Sequence, residues 1–384
     1  MATPVQNEPY DVAVIGAGVF GAWTALTLRR SGYSVLLVDA YGVGNSRSSS
    51  GGESRIIRMG YGDDEIYTRS AIRSLVQWRE LSAKCDEPIF YPTGVLWLAS
   101  KTDSYAVKCA ATLERVGVAI EKLDSRQLAS RYSQLMTTDI EWALLERDSG
   151  ALMARRGVQA VVRSAINKGV DYRVDRIHTP TSIPPVTESG ERIAAARYVF
   201  ACGPWLPELF PEILRDRINP TRQEVIFFGA QQNARDYSPS SLPIWVDFDN
   251  EAYGFPDLEN RGVKVAIDRH GPSFDPDLGD RVVTSEGLNE ARAYLAHRVP
   301  RLRGAPVVEA RVCQYENTSN GDFLIDRHPD HEGVWLVGGG SGHGFKHGPA
   351  IGEYMLGRLS GDEEAIEPRF SLATKLTTQR REVF

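Results

Sequence analysis

YDVAVIGAGVFGAWTALTLRRSGYSVLLVD, residues 10–39, is the stretch on which the fold turns. Tyr10 to Ile15 is a short apolar run ending at Gly16, which reads as a buried parallel strand. Phe20 to Ser31 carries a helical pattern, with Gly32 placed to end it, and Ser34 to Asp39 is a second buried strand rich in Val and Leu. Together they make one βαβ unit. Gly16, Gly18 and Gly21 spell GxGxxG between strand and helix, and Asp39 closes the second strand 18 positions after Gly21. That context makes a dinucleotide fingerprint. The first glycine permits the tight turn, the second lets backbone N–H groups approach a pyrophosphate, and the third lets helix and strand pack closely. Asp39 then accepts hydrogen bonds from ribose hydroxyls. The fingerprint alone does not separate FAD from NAD.

Further along, Arg47 to Ser54 is a polar, glycine-bearing loop leading into Arg55 to Arg58, and Glu65 to Leu81 is helical. Ile89 to Ala99 reads as a strand pair around a turn at Pro92 to Gly94, with helical patterns near Ala110 and Arg126. Ala151 to Lys168 reads as a helix, and Arg197 to Ala201 as a buried strand closed by Cys202, Gly203, Pro204 and Trp205. Between Asn219 and Val312 the chain is β-rich, with runs at Glu224 to Phe228, Ile244 to Phe248 and Val263 to Ile267. A strand at Val334 to Val337, a glycine-rich turn from Gly338 to Gly344 and a helix from Pro349 to Leu359 follow. The pattern predicts an α/β (α+β) fold: a Rossmann-type cofactor domain interleaved with a substrate domain on a mostly antiparallel sheet. The expected divisions are 1–85, 150–218 and 313–384 for the first, 86–149 and 219–312 for the second.

A length of 384 residues suits two such domains and leaves room for a large buried cofactor. With 42% hydrophobic and 24% charged residues and a net charge of -6, the composition is that of a soluble globular protein. No acidic or basic block points to nucleic acid or an anionic membrane, and no run is long and apolar enough to span a bilayer. Cys85, Cys109, Cys202 and Cys313 are scattered, without CxxC pairs, which fits a reducing cytoplasm. The short polar start, Met1 to Pro9, lacks the apolar stretch of a signal peptide.

Several separated motifs carry a resemblance: VAVIGAGVFG at the start, SRIIR at Ser54 to Arg58, ACGPW at Ala201 to Trp205, YGFP at Tyr253 to Pro256, GVKV around Lys264, CQYENTSNGDFLIDRHP from Cys313 and SGHGFKHG from Ser341. Together they span nearly the whole chain, which resembles the D-amino-acid oxidase superfamily in its monomeric sarcosine oxidase and N-methyltryptophan oxidase branch. The resemblance implies an FAD-dependent, monomeric amine oxidase that takes a small amine or amino acid and O2 and needs no metal. By its motif, Cys313 inherits the covalent flavin attachment, an 8α-S-cysteinyl thioether. The resemblance further implies cofactor contacts at Gly16, Gly18, Val19, Phe20, Gly21, Asp39, Ser50, Arg55, Cys202, Gly203, Trp205, Cys313, Gly342, Gly344, Phe345 and Lys346.

Lys264 matches the lysine held over the flavin to activate dioxygen. A fixed ammonium in a dry site stabilises the negative charge that develops on O2. Read without its motif, Lys264 would be the outward residue of a half-exposed strand. Arg58 and Lys346 match the pair that grips the substrate carboxylate, a planar fork beside a compact point charge. Arg55, Tyr253 and His343 match further catalytic residues of the pocket, with Tyr253 also lining the substrate.

The chain departs from the branch where the substrate sits. Ser50 and Gly51 replace a histidine pair, Asp268 replaces a pocket histidine, and His347, Gly348 and Pro349 follow SGHGFK in place of apolar or small residues. Sarcosine, another N-methyl amino acid, a cyclic imino acid such as pipecolate and a sugar-modified (fructosyl) amino acid all remain open. So do a flavin amine dehydrogenase with a different acceptor and a flavoprotein without turnover. An NAD-dependent dehydrogenase would leave Cys313, Lys264 and SGHGFK without a use.

Overall fold

The computed structural model describes residues 8–101, 103–180, 182–230, 234–362 and 366–378. Its first layer is a six-stranded sheet in the order Leu324–His328, His331–Gly338, Ala195–Phe200, Tyr10–Ile15, Val35–Asp39, Asp171–Val174. The last five are parallel and the first runs antiparallel at the edge. The inner strands are buried on both faces, as a parallel sheet under helices requires. The helix Val19–Arg30 lies between Ala154–Asn167 and Gly348–Ser360. Its approach to the last of these is close because Gly348 and Gly352 carry no side chain: a Cβ there would lie 2.5 Å and 2.7 Å from atoms of Trp23 and Thr27.

The second layer is an eight-stranded sheet in the order Val307–Thr318, Ile218–Phe228, Val263–Ile267, Ala252–Phe255, Ile244–Asp247, Val95–Ala99, Trp142–Glu146, Ile120–Asp124. Every pairing is antiparallel except that of Ile244–Asp247 with Val95–Ala99. A third sheet of three short strands, Ser54–Ile57, Gly150–Met153 and Phe90–Tyr91, adjoins these two layers. The strand Val307–Thr318 runs through the division expected at 313 and pairs with Ile218–Phe228 to its end, so Cys313 stands in the antiparallel sheet. Among the described residues no helix is long and apolar enough to cross a membrane.

Three local expectations are corrected. Phe90–Tyr91 and Val95–Ala99 are not a hairpin: the first pairs with Gly150–Met153 and the second with Trp142–Glu146. The helix expected from Ala151 starts at Ala154, because Gly150–Met153 is drawn into the three-stranded sheet. The β-rich stretch holds a helix, Ser285–Arg298, whose first turn is capped by Thr284 Oγ accepting from Gly287 N at 3.0 Å. Its buried Ala291, Tyr294, Leu295 and Arg298 keep helical spacing.

Candidate active site

The turn after Tyr10–Ile15 is shaped by its glycines. Gly16 has φ 103°, and a Cβ on it would lie 2.4 Å from the Ala201 carbonyl oxygen. A Cβ on Gly21 would lie 1.9 Å from the Gly16 oxygen. At Gly18 the nearest atom would be Ser50 Oγ at 3.6 Å, so that side stays open. It opens onto a cleft of about 430 Å³ at the ends of the parallel strands. Ser50 Oγ also accepts from Val19 N at 3.1 Å, and Asp39 Oδ2 accepts from Ala17 N at 2.7 Å. Burial raises the proton affinity of Asp39.

Gly16, Gly18, Val19, Phe20, Asp39, Ser50, Arg55, Cys202, Gly203, Trp205, Cys313, Gly342, Gly344 and Phe345 all line this cleft. Gly21 and Lys346 do not: the first is a packing residue and the second faces elsewhere. At the cleft mouth Asp277 gathers Tyr41 OH at 2.5 Å, Trp205 Nε1 at 3.0 Å and Arg176 at 2.5 Å, tying the loop that follows Val263–Ile267 to the parallel sheet. These residues fit a dinucleotide: an open glycine at a helix N-terminus, a carboxylate at the end of the second strand, and a long cleft between them.

A smaller cavity of about 100 Å³ adjoins the cleft and shares Arg55, Cys313, Tyr315, Gly342 and Phe345 with it. Arg58, Tyr253, Lys264, Asp268, His343 and Lys346 line it as well. Lys264 is 3% exposed, because its strand is covered on both faces, which excludes the half-exposed reading. Its Nζ donates to the Ser54 carbonyl at 3.0 Å and Ser54 Oγ at 3.1 Å, and lies 3.9 Å from the Phe255 ring centre. Burial first, then the Arg55 guanidinium, holds its proton affinity well below that of an ordinary lysine. Arg55 itself donates to Ser49 O at 2.6 Å and to Cys313 Sγ at 3.2 Å.

Arg58 is stacked between rings, 4.3 Å from the Tyr61 centre and 4.9 Å from that of Trp97. Lys346 donates to Tyr61 OH at 2.7 Å and to the His343 carbonyl at 2.9 Å. Burial, then Arg58, lowers its proton affinity strongly. Tyr315 OH donates to Asp268 Oδ1 at 2.9 Å, so the carboxylate that replaces a histidine belongs to the same cavity.

Sequence reasoning missed two residues that build the site. Tyr61 joins Lys346 to His343 and His347. Glu146, fully buried, accepts from Met59 N at 2.7 Å, Gly60 N at 3.0 Å and Trp97 Nε1 at 2.8 Å, and so fixes the backbone behind Arg58. The only signal for Glu146 was a charge closing the apolar run Trp142–Leu145.

The chain is 30% identical over 354 residues to the N-methyl-L-tryptophan oxidase of Salmonella arizonae, covering 90% of this chain and 93% of that one. It is 28% identical to the N-methyl-L-tryptophan oxidase of Salmonella dublin over 365 residues, covering 91% and 96%. Among solved structures, L-proline dehydrogenase from P. horikoshii superposes with a TM-score of 0.82 at 19% identity, over 96% of this chain and 98% of that one. Glycine oxidase from Geobacillus kaustophilus gives 0.79 at 20% identity, over 96% and 100%. The DAO model, described as FAD dependent oxidoreductase, matches residues 11–358. With the fingerprint cleft and the paired cavity inside that span, the chain belongs to the DAO family of FAD-dependent oxidoreductases.

Proposed function

We propose that the protein oxidises the C–N bond of an N-substituted amino acid of the sarcosine kind, with dioxygen as acceptor and Cys313 as the flavin's covalent anchor. The observation that carries this reading is the small cavity that Arg58, Lys346, Lys264 and Cys313 line together. The name of the Salmonella relatives, N-methyl-L-tryptophan oxidase, supports an amine of this class.

FAD, when bound, supplies the two-electron acceptor. The chain supplies the rest. Arg58 and Lys346 grip the carboxylate, and that grip orients the C–N bond. The buried cations beside it favour the neutral amine over the ammonium, and Tyr253 and His343 help to wall the site from water. The substrate loses two electrons and two protons to become an imine, which water hydrolyses to an aldehyde or keto product and an amine. Lys264, kept dry, gains proton affinity when negative charge develops on oxygen, and so favours reduction of O2 to H2O2. Arg55 directs an N–H at the Cys313 sulfur. Four unpaired cysteines suit a cytoplasmic setting.

The test is to purify the yellow protein, precipitate it with acid and screen amines for peroxide. Chromophore held in the pellet and peroxide from an N-methyl amino acid are expected. Chromophore released into the supernatant removes the anchor. Substrate that bleaches the protein without oxygen, yet yields no peroxide in air, removes O2 as acceptor.

A further inference from the structure

Behind the small cavity, Tyr61 is a junction. Its hydroxyl lies 2.7 Å from Lys346 Nζ, 3.2 Å from His343 Nδ1 and 2.8 Å from His347 Nε2. The two imidazoles differ in what stands behind them. His343 Nε2 is 3.0 Å from the Gly321 carbonyl, which only accepts, so that nitrogen keeps its hydrogen and Nδ1 can only accept. A proton delivered to His343 has no exit. His347 Nδ1 is 2.8 Å from Ser70 Oγ, a hydroxyl that both gives and takes, and Ser70 is half-buried on the helix Glu65–Ser82. His347 itself is fully buried. Either tautomer of His347 satisfies both neighbours, because Tyr61 and Ser70 can each reverse their hydroxyl hydrogen.

We propose that Ser70, His347 and Tyr61 form a proton path between solvent and Lys346, and that Lys346 takes up a proton along it when a carboxylate enters the cavity. The inference rests on the reading of Arg58 and Lys346 as a carboxylate grip. Ser70 passes its hydroxyl proton to His347 Nδ1, His347 passes the Nε2 proton to Tyr61, and Tyr61 passes its own to Lys346 Nζ. Water restores the proton on Ser70. Only N–H and O–H bonds change, and the net result is transfer of a proton from solvent to the lysine.

The charges around the lysine give the uptake a cause. Lys346 faces Arg58 and Tyr61, the carboxylates Glu146 and Asp268, and the imidazoles His343 and His347. His347 faces Lys346, His343, Arg58, Tyr61, Tyr67 and Ser70. With burial and Arg58 against it, Lys346 binds its proton weakly until a further negative charge arrives. An incoming carboxylate is that charge, and the chain Tyr61, His347, Ser70 reaches the lysine from the side away from the ligand.

The experiment mixes the yellow holoenzyme with propionate, which cannot be oxidised at a C–N bond, in weakly buffered solution containing a pH indicator. Flavin absorbance reports binding and the dye reports protons. Proton uptake should accompany binding in the wild type. Ser70→Ala and His347→Gln should keep its amplitude and slow it by about tenfold or more. Ser70→Thr, which retains the hydroxyl, should restore the rate. Binding without proton uptake, or equal rates in every variant, overturns the path and leaves the carboxylate grip standing. Absence of any propionate effect on the flavin spectrum removes the grip itself, and the path with it. Ser70→Ala alters only the half-buried outer end, so it keeps the test decisive where His347→Gln fails to fold.

Discussion

Lys264 and Lys346 line the same small cavity, and the chain surrounds them in different ways. Lys264 stands on a strand covered on both faces, and its ammonium meets a carbonyl and hydroxyl of one residue, Ser54, together with the face of Phe255. Lys346 stands on the short turn Phe345–His347 and meets Tyr61, whose hydroxyl leads on to two imidazoles. Burial depresses the proton affinity of both, with Arg55 the second cause at one and Arg58 at the other. Depression at both sites therefore coexists with unequal access: one lysine is held on a strand covered on both faces, the other is linked through Tyr61 and His347 to the half-buried Ser70. Under the proposed function, that difference suits them to different halves of the reaction.

The largest effect should come from separating those halves. Lys264→Met is expected to slow reoxidation of the reduced enzyme by air by about 100-fold or more, because the group whose proton affinity rises as negative charge develops on oxygen is gone. Reduction by substrate under anaerobic conditions should stay near the wild-type rate. Lys346→Met should do the reverse, raising the substrate concentration needed for reduction while leaving reoxidation intact. Stopped-flow traces of both half-reactions read this directly, and the comparison breaks if the two variants fail in the same half.

Next in size is Arg58→Lys, which keeps the charge and loses the planar fork stacked between Tyr61 and Trp97. KM for an N-methyl amino acid should rise by roughly 10- to 100-fold, with a smaller change in kcat, since bidentate geometry and ring stacking are lost together. An equal effect with an amine that lacks a carboxylate would show that Arg58 serves the packing of the site and not its grip.

How much of this was legible in the chain follows from distance along it. The unit from Tyr10 to Asp39 was readable because its signals are local: an apolar run, glycine punctuation and a terminal Asp within a few dozen residues. The order of the eight-stranded sheet was not, since it pairs Ile218–Phe228 with Val307–Thr318 and sets Ile244–Asp247 parallel to Val95–Ala99. The helix Ser285–Arg298 carried its spacing in Ala291, Tyr294, Leu295 and Arg298, but its polar majority hid the narrow buried stripe. Motifs singled out Lys264, Arg58 and Lys346, which the fold brings into one cavity. They gave nothing for Tyr61 or Glu146, whose roles lie in partners, and marked His347 only as a departure, without its partner Ser70, 277 positions away.

Both lysines also carry a cost in stability, and its pH dependence has a definite sign. Their folded proton affinities lie below the ordinary lysine value of 10.5, so between the two values the unfolded chain binds more protons than the folded one. Stability is then present above that window and is lost as pH falls through it. Lys264→Met and Lys346→Met should each stabilise the fold near neutral pH, and the gain should vanish as pH approaches the ordinary lysine value. Thermal unfolding across that range checks it. A gain at Lys264 alone would mean that Lys346 keeps its proton by way of Tyr61.

Glu316 offers the acidic counterpart and the smallest effect. It stands on the strand Val307–Thr318 and lines the cofactor cleft, with Oε1 accepting from Gly340 N at 3.1 Å. Oε2 has no hydrogen-bond partner among the described residues. Burial pushes its pKa up from 4.5 to about 7. Between those values the folded chain binds more protons than the unfolded one, so Glu316 supports the fold below the window and weakens it as pH rises through it. Glu316→Gln keeps the shape of a protonated carboxyl and removes the titration. In a Cys313→Ala background freed of flavin, the variant should match its parent at low pH and exceed it above neutrality by roughly 1–2 kcal/mol, allowing for water that reaches the empty cleft. A stability difference that does not change with pH would show that burial leaves the Glu316 proton affinity at its ordinary value, and that the burial effect seen at the two lysines stops at the cofactor cleft.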